Sequence, residues 1–322
     1  MRELNDIYLD VRRRLMEAGS SSATLEAREL CAYALGMDRN AFLSNLGLFL
    51  TEESENKIWS LFERRMDGEP LAQIIGEWEF YSLPFLITRD VLIPRADTET
   101  LVEAAIAFSR QRGAPRVLDL CCGSGCIGIA IAKNVSEARV TLADLSEKAL
   151  AVARENIKRN AASQNTAALA WNVLSGWRPI LGKFDLIVCN PPYIPSDEIA
   201  QLDCDVRDYE PRLALDGGDD GLTFYRALAS LWKEALAPGG RMMVECGIGQ
   251  HTAIASIFAQ ADFTAAEILC DLMGIERVVS VGLPPAGEED APASAPDAQQ
   301  AGEPPGDETA DVTEQGADAK IQ

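Results

Sequence analysis

Apolar residues near the N-terminus recur three and four positions apart. Leu4, Ile7, Tyr8, Val11 and Leu15 fall on one helical face, and Ala27, Leu30, Cys31, Ala34 and Leu35 on another that Gly36 ends. Thr51 stands before Glu52 and Glu53. A hydroxyl that accepts from a free backbone N–H, followed by carboxylates at the positive end of a helix, predicts a helix start there. Ile58, Leu61, Phe62 and Arg65 continue on one face, so residues 1–68 read as a small helical-bundle domain. The rhythm then changes. Gly68, Pro70 and Gly76 break the chain, and Trp78–Tyr81 and Phe85–Thr88 read as two strands turning at Ser82-Leu83-Pro84. Residues 69–100 are therefore expected to form a β-hairpin linker, with a new helix opening near Thr98-Glu99.

Beyond Arg116, short apolar runs at 116–120, 139–143, 167–171, 184–189 and 241–246 alternate with helical stretches, notably 146–160 and 222–236. One or two further strands fall within 265–282. Such alternation predicts an α/β domain over residues 101–283, built on a doubly wound, mostly parallel sheet. Residues 284–322 are rich in Ala, Pro, Gly, Asp and Glu with almost no large apolar side chain, and are expected to be a disordered acidic tail.

Charge narrows the partners. Fifty acidic residues against 29 basic ones give a net charge of −21. The tail holds ten acidic residues and one lysine, so the body stays acidic without it. Affinity for nucleic acid rests mainly on Lys and Arg neutralising phosphates, and no basic cluster offsets this balance. No direct nucleic-acid partner is expected. No run of about 18 apolar residues suggests a membrane span, and Met1-Arg2-Glu3-Leu4-Asn5-Asp6 lacks the apolar centre of a signal peptide. Eight scattered cysteines offer no zinc spacing, which predicts reduced thiols, no metal and a cytoplasmic location. With no sign of a symmetric interface, a monomer is the default.

The chemistry begins at Val117-Leu118-Asp119-Leu120-Cys121-Cys122-Gly123-Ser124-Gly125-Cys126-Ile127-Gly128, a strand, tight turn and helix start containing G-x-G-x-x-G. Asp144 ends the next strand. In outline this is a dinucleotide fingerprint, and a nicotinamide-dependent oxidoreductase is its first rival reading. A pyrophosphate on a helix N-terminus, however, disfavours a carboxylate beside it, and Asp119 sits just before the turn. A ligand carrying an ammonium and a sulfonium suits that position. S-adenosylmethionine has both. Asp144 is then expected to accept from ribose hydroxyls, the 121–125 turn (Cys121, Cys122, Gly123, Ser124, Gly125) to approach the ligand closely, and Asn172, after the third strand, to meet the adenine edge.

Phe184-Asp185-Leu186-Ile187-Val188-Cys189 reads as a buried strand that ends at Asn190-Pro191-Pro192-Tyr193. Ligands of open α/β sheets meet the carboxyl ends of strands, so this tetrapeptide falls at the same edge as the glycine turn. An amide nitrogen is a poor nucleophile because its lone pair is delocalised. Asn190 Oδ1 and the Pro191 carbonyl can accept its two N–H groups, Pro191 and Pro192 stiffen the loop, and Tyr193 offers an aromatic face to a planar group. Positive charge grows on nitrogen during methyl transfer, so fixed acceptors favour the transition state. The single histidine, His251, lies far along the chain from both motifs and is expected on a helix surface rather than as a base.

Asn190-Pro191-Pro192-Tyr193 after the fourth strand, with Leu118-Asp119-Leu120 before a glycine turn, resembles class I amino-methyltransferases. Four further segments, Pro70–Gly76, Val91–Arg95, Tyr209–Leu215 with Gly217-Gly218, and Asp271–Val279, make the chain from about residue 70 to 282 similar to the PrmC/HemK family, the peptide chain release factor N5-glutamine methyltransferases. The resemblance implies a class I S-adenosylmethionine methyltransferase fold and a product S-adenosyl-L-homocysteine. It implies as substrate the glutamine of the Gly-Gly-Gln motif in class 1 release factors, and a helical N-terminal domain that helps hold the release factor. On this chain it places the cofactor at Asp144 and the 121–125 turn, the glutamine at Asn190–Tyr193, and Asn190 against both. An adenine-N6 methyltransferase acting on DNA or RNA is the alternative, since an exocyclic amine resembles an amide and such motifs serve both; the acidic body argues against it.

Two departures stand out. Cys121-Cys122 replaces the family's usual Gly-Thr, so an ordinary φ is expected at Cys121. Pro94-Arg95-Ala96-Asp97-Thr98-Glu99 lacks the family's second proline, and Arg95 and Glu99 are expected to be structural ions bracing the join between domains.

Overall fold

Five helices open the chain in this computed structural model, which describes residues 1–283: α1 (Leu4–Glu17), α2 (Ala23–Leu35), α3 (Arg39–Ser44), α4 (Glu52–Met66) and the short α5 (Leu71–Ile75). Leu4, Ile7, Val11 and Leu15 of α1 pack with Leu30 and Cys31 of α2 and Ile58, Leu61 and Phe62 of α4. Thr51 Oγ1 accepts from Ser54 N–H at the start of α4, and Gly36 ends α2 with φ 64°. An ion pair, Arg65 to Glu26 at 2.9 Å, ties α4 to α2 where both side chains are largely buried.

Strands β1 (Glu77–Phe80) and β2 (Leu83–Leu86) pair antiparallel, with Phe80 opposite Leu83. The expected three-residue turn at Ser82-Leu83-Pro84 is corrected. The turn is Tyr81-Ser82, with φ 51° and 57°, and Leu83 and Pro84 belong to the strand. Two left-handed residues match the right-handed twist of a hairpin, and that geometry outweighs the signal of the proline. Glu99 Oε1 accepts from Tyr81 N–H at 2.9 Å and holds the turn.

The remaining elements are α6 (Glu99–Arg110), β3 (Arg116–Leu120), α7 (Cys126–Asn134), β4 (Arg139–Asp144), α8 (Glu147–Arg159), β5 (Thr166–Ala170), β6 (Phe184–Cys189), α9 (Cys204–Arg207), α10 (Thr223–Leu231), β7 (Leu236–Glu245), α11 (His251–Gln260), β8 (Glu267–Cys270) and β9 (Glu276–Gly282). They form a seven-stranded sheet in the order β5-β4-β3-β6-β7-β9-β8, with β9 antiparallel to both β7 and β8. Alternation along each strand divides the core in two. Val117, Leu186 and Val188 face α6, α7 and α8, whereas Leu118, Leu120 and Ile187 face α10 and α11. The helix expected over 222–236 ends at Leu231. Trp232 turns in to full burial, its Nε1 donating to Val173 O at 2.8 Å, and a 3-10 turn leads into β7. β7 starts earlier than expected, running through Pro238-Gly239-Gly240, because a register shift opposite Phe184 and Leu186 accommodates those residues. No helix among the described residues is long and apolar enough to cross a membrane. The tail expected over 284–322 lies outside the described residues.

Candidate active site

β3 ends at Leu120, and the chain turns through residues 121–125 into α7. Cys122 N–H reaches Ala143 O on β4 at 3.1 Å, and Gly125 N–H returns to Cys122 O at 2.7 Å. Closing so tight a turn forces left-handed backbone at Cys121 (φ 57°), Gly123 (φ 53°) and Gly125 (φ 80°). The ordinary φ expected at Cys121 is thus corrected. The glycines have different tasks. A Cβ on Gly125 would lie 2.8 Å from Leu142 Cδ1, and one on Gly128 would lie 2.2 Å from Leu142 Cδ2, so both let α7 pack onto β4. A Cβ on Gly123 would meet nothing within 4 Å, which leaves that face free for a ligand.

Asp144 stands opposite this turn. Its Oδ2 accepts from Gly123 N–H at 2.9 Å and its Oδ1 from Ser146 N–H at 2.8 Å. Burial pushes its carboxyl above the usual range while those two N–H groups pull it back. Each oxygen keeps a lone pair for a further donor. Asp119 is fully buried, with Oδ2 accepting from Gly128 N–H at 2.8 Å and Oδ1 without a partner among the described residues. Burial, opposed by that hydrogen bond and reinforced by the nearby Asp144 charge, pushes its carboxyl up to about 8.

Two adjoining cavities open at this edge. The larger, about 670 Å³ including its mouth, is walled by Val91, Asp144, Leu145, Trp171, Val173 and Leu213, among others. The smaller, about 350 Å³, is walled by Pro94, Arg95, Thr98, Ser124, Cys126 and Ile127, among others. Leu92, Cys121, Gly123 and Asn190 line both.

The expected site residues therefore divide. Cys121, Gly123, Asp144 and Asn190 meet at the larger cavity, and Cys122 and Ser124 line the smaller. Pro192 also walls the larger one. Asp119 lines neither and lies behind the turn, as a support for α7. Asn172 also lines neither. Its Oδ1 accepts from Leu174 N–H at 2.9 Å, and its neighbours Trp171 and Val173 form the wall instead. Asn190 Nδ2 is directed at Thr98 Oγ1, 3.5 Å away, while no donor among the described residues reaches Asn190 Oδ1 or the Pro191 carbonyl. Tyr193 is held from behind, its carbonyl accepting from Gln250 Nε2 at 2.9 Å, and burial pushes its hydroxyl up to about 12. His251, at the start of α11, lines neither cavity.

Several further residues shape the site. Asn156, fully buried on α8, donates from Nδ2 to Ser124 O at 3.0 Å and to Leu86 O at 3.1 Å, so it joins the 121–125 turn to the hairpin. Arg95 forms a two-pronged pair with Glu210 at 2.7 and 2.8 Å and fastens the segment containing Pro211, Leu213 and Ala214 over the larger cavity. Thr98 and Glu245 lie behind Asn190. The one clue to Glu245 was a carboxylate at the end of the apolar run Met242-Met243-Val244.

Comparison with known proteins follows the same division of the chain. Residues 98–202 match the Methyltransferase small domain family, and residues 6–76 match the PrmC N-terminal domain family. A release factor glutamine methyltransferase of Bradyrhizobium diazoefficiens is 42% identical over a match covering 83% of this chain and 90% of its own length. One from Geobacter sulfurreducens is 42% identical, covering 82% and 91%. Among solved structures, the hMettl16 catalytic domain in complex with MAT2A 3′UTR hairpin 6 superposes with a TM-score of 0.51 at 12% identity, over 72% of this chain and 82% of that one, a likeness of fold.

Proposed function

The chain belongs to the release factor glutamine methyltransferase family, and from this membership together with the site geometry we propose how it works. It transfers a methyl group from S-adenosylmethionine to the side-chain amide nitrogen of a release-factor glutamine, that of the Gly-Gly-Gln motif. When bound, S-adenosylmethionine supplies an electrophilic methyl group on a sulfonium. The larger cavity suits its nucleoside, with Asp144 accepting from the ribose hydroxyls and Trp171 and Val173 as apolar walls. The smaller cavity, with Arg95, Thr98 and Ser124, suits the amino-acid end.

One observation carries the assignment of the acceptor. Asn190 stands where the two cavities meet, with its amide nitrogen turned to Thr98 and no donor among the described residues on its oxygen. Asn190 Oδ1 and the Pro191 carbonyl then accept the two N–H groups of the glutamine amide. They orient its nitrogen and strengthen as positive charge develops there. Pro191 and Pro192 hold these acceptors in place, and Tyr193 stacks on the amide plane. The methylated amide cation is strongly acidic, so its proton passes to solvent without a dedicated base.

We assign residues 1–68 to holding the release factor, residues 69–100 to the connection and residues 101–283 to catalysis, in a cytoplasmic monomer. The test is co-expression with a class 1 release factor and mass measurement of its Gly-Gly-Gln peptide. One added methyl group is expected. Label from tritiated cofactor appearing on DNA or RNA and not on release factor would instead favour the adenine-N6 alternative.

A further inference from the structure

β6 runs into Asn190, and its neighbour β7 ends at Glu245; Cys189 pairs with Val244, so the two residues emerge side by side. Glu245 is 3% exposed, and its Oε2 has no hydrogen-bond partner among the described residues. Thr98, 2% exposed, sits between them. Its Oγ1 accepts from Asn190 Nδ2 at 3.5 Å, and the side chains of both Thr98 and Asn190 favour the charged form of the Glu245 carboxyl. A hydroxyl has one proton. If that proton goes to the carboxylate, the oxygen of Thr98 is left as an acceptor facing Asn190, and only the amide nitrogen of Asn190 can answer it. A primary amide has little intrinsic preference between its two flips, so the choice must come from its neighbours.

We propose that Glu245 is a positioning residue for methyl transfer: acting on Asn190 both directly and through Thr98, it fixes the amide with nitrogen toward the protein and oxygen toward the glutamine. This rests on the functional assignment above. An ionised carboxylate only accepts, whereas a protonated one also donates and removes the constraint on Thr98. Burial pushes Glu245 up to about 7, with Thr98, Arg277 and the Asn190 side chain pulling it down and Asp97 pushing it up. The other titratable groups facing it are Tyr193, Tyr225, Cys246 and Cys126. Arg277 is itself paired with Asp97 at 2.6 Å and Asp271 at 3.0 Å.

The experiment compares the full chain with Glu245→Leu, Glu245→Gln and Asn190→Ala, singly and with Glu245→Leu and Asn190→Ala combined. Glu245→Leu is expected to lower kcat on the order of a hundredfold, as misplacement of a reacting group does, with cofactor Kd unchanged. In the Asn190→Ala background it should cost nothing more. Wild-type kcat should fall as the pH drops through about 7, and Glu245→Gln, whose amide can donate as the protonated acid does, should lose that inflection and stay at the low-pH turnover of wild type. Multiplying losses in the double variant, or an inflection that survives Glu245→Gln, overturns the proposal. Should Glu245→Leu fail to fold, the pH profile of Glu245→Gln decides alone. The side-chain amide NMR signal of Asn190 keeps the two assignments separable. Wild type that leaves release factor unmethylated sinks the function, whereas an Asn190 signal that neither titrates near pH 7 nor shifts in Glu245→Gln sinks the role of Glu245 whatever the substrate.

Discussion

Asn190 and Asp144 differ in what their oxygens already do. No donor among the described residues reaches Asn190 Oδ1, whereas the Asp144 oxygens already accept from Gly123 N–H in the turn and from Ser146 N–H after β4. Asn190→Ala should therefore lower kcat by about 10²–10³-fold, the usual cost of losing one fixed transition-state partner, with little change in cofactor Kd by calorimetry. Asp144→Ala should raise cofactor Kd by roughly ten- to a hundredfold, because the turn loses its support along with the acceptor proposed for the ribose hydroxyls. Equal losses of cofactor affinity in the two variants would refute that division. Cys121 makes a different point. Its φ of 57° is left-handed backbone that costs a residue with a Cβ about 1–2 kcal/mol. Cys121→Gly should leave the melting temperature level or higher. Cys121→Val, with branching at Cβ, should lower stability by about 1–3 kcal/mol. A Val variant as stable as the parent would show that the turn relaxes more readily than its hydrogen bonds imply.

At the scale of elements, the site depends on how closely α7 lies against β4. A Cβ on Gly128 would meet Leu142 Cδ2 at 2.2 Å, Asp119 Oδ2 at 3.0 Å and Val140 Cγ1 at 3.0 Å. None of the three has room to move, since Leu142 and Asp119 are fully buried and Val140 nearly so. Gly128→Ala should therefore destabilise the fold by about 2–3 kcal/mol, as overpacking does, and reduce cofactor affinity in step because α7 carries the turn. Denaturant unfolding with and without cofactor measures both. The hairpin is coupled to the same edge through Asn156, whose side chain bonds Leu86 on one side and Ser124 on the other. The strands, their order of occurrence and the helices between them were legible from apolar runs and helical spacing. The turn at Tyr81-Ser82, the end of α10 at Leu231 and the early start of β7 were not. Each is set by packing or pairing with a distant segment rather than by its own residues.

For the whole molecule, buried carboxylates govern the pH response. Asp119 is pushed up to about 8 and Glu245 to about 7, both by burial, against ordinary values near 4. Between about pH 4 and 8 the native state then holds protons that the unfolded chain has released, so stability rises as the pH falls through this window and is lost as it rises. The melting temperature should be higher at pH 6 than at pH 8, and Asp119→Asn should flatten the slope, since the amide keeps an acceptor for Gly128 N–H. A slope of opposite sign, or one unaffected by Asp119→Asn, would count against protonation of Asp119.

The linear chain by itself determined the elements, the α/β class, the glycine turn and the Asn190–Tyr193 motif, because periodicity and short motifs are properties of neighbouring residues. Only the tertiary structure decided that Asp119 supports the turn from behind and that Asn172 caps a turn while Trp171 and Val173 form the wall. The same holds for Arg95 reaching Glu210 and for Thr98 and Glu245 standing behind Asn190. Arg95 and Glu210, and Thr98, Asn190 and Glu245, are separated by dozens of residues or more. Their meeting depends on strand order and register, which bring distant carboxyl ends to one edge, and no local pattern of apolar and polar positions records which distant side chains will share it.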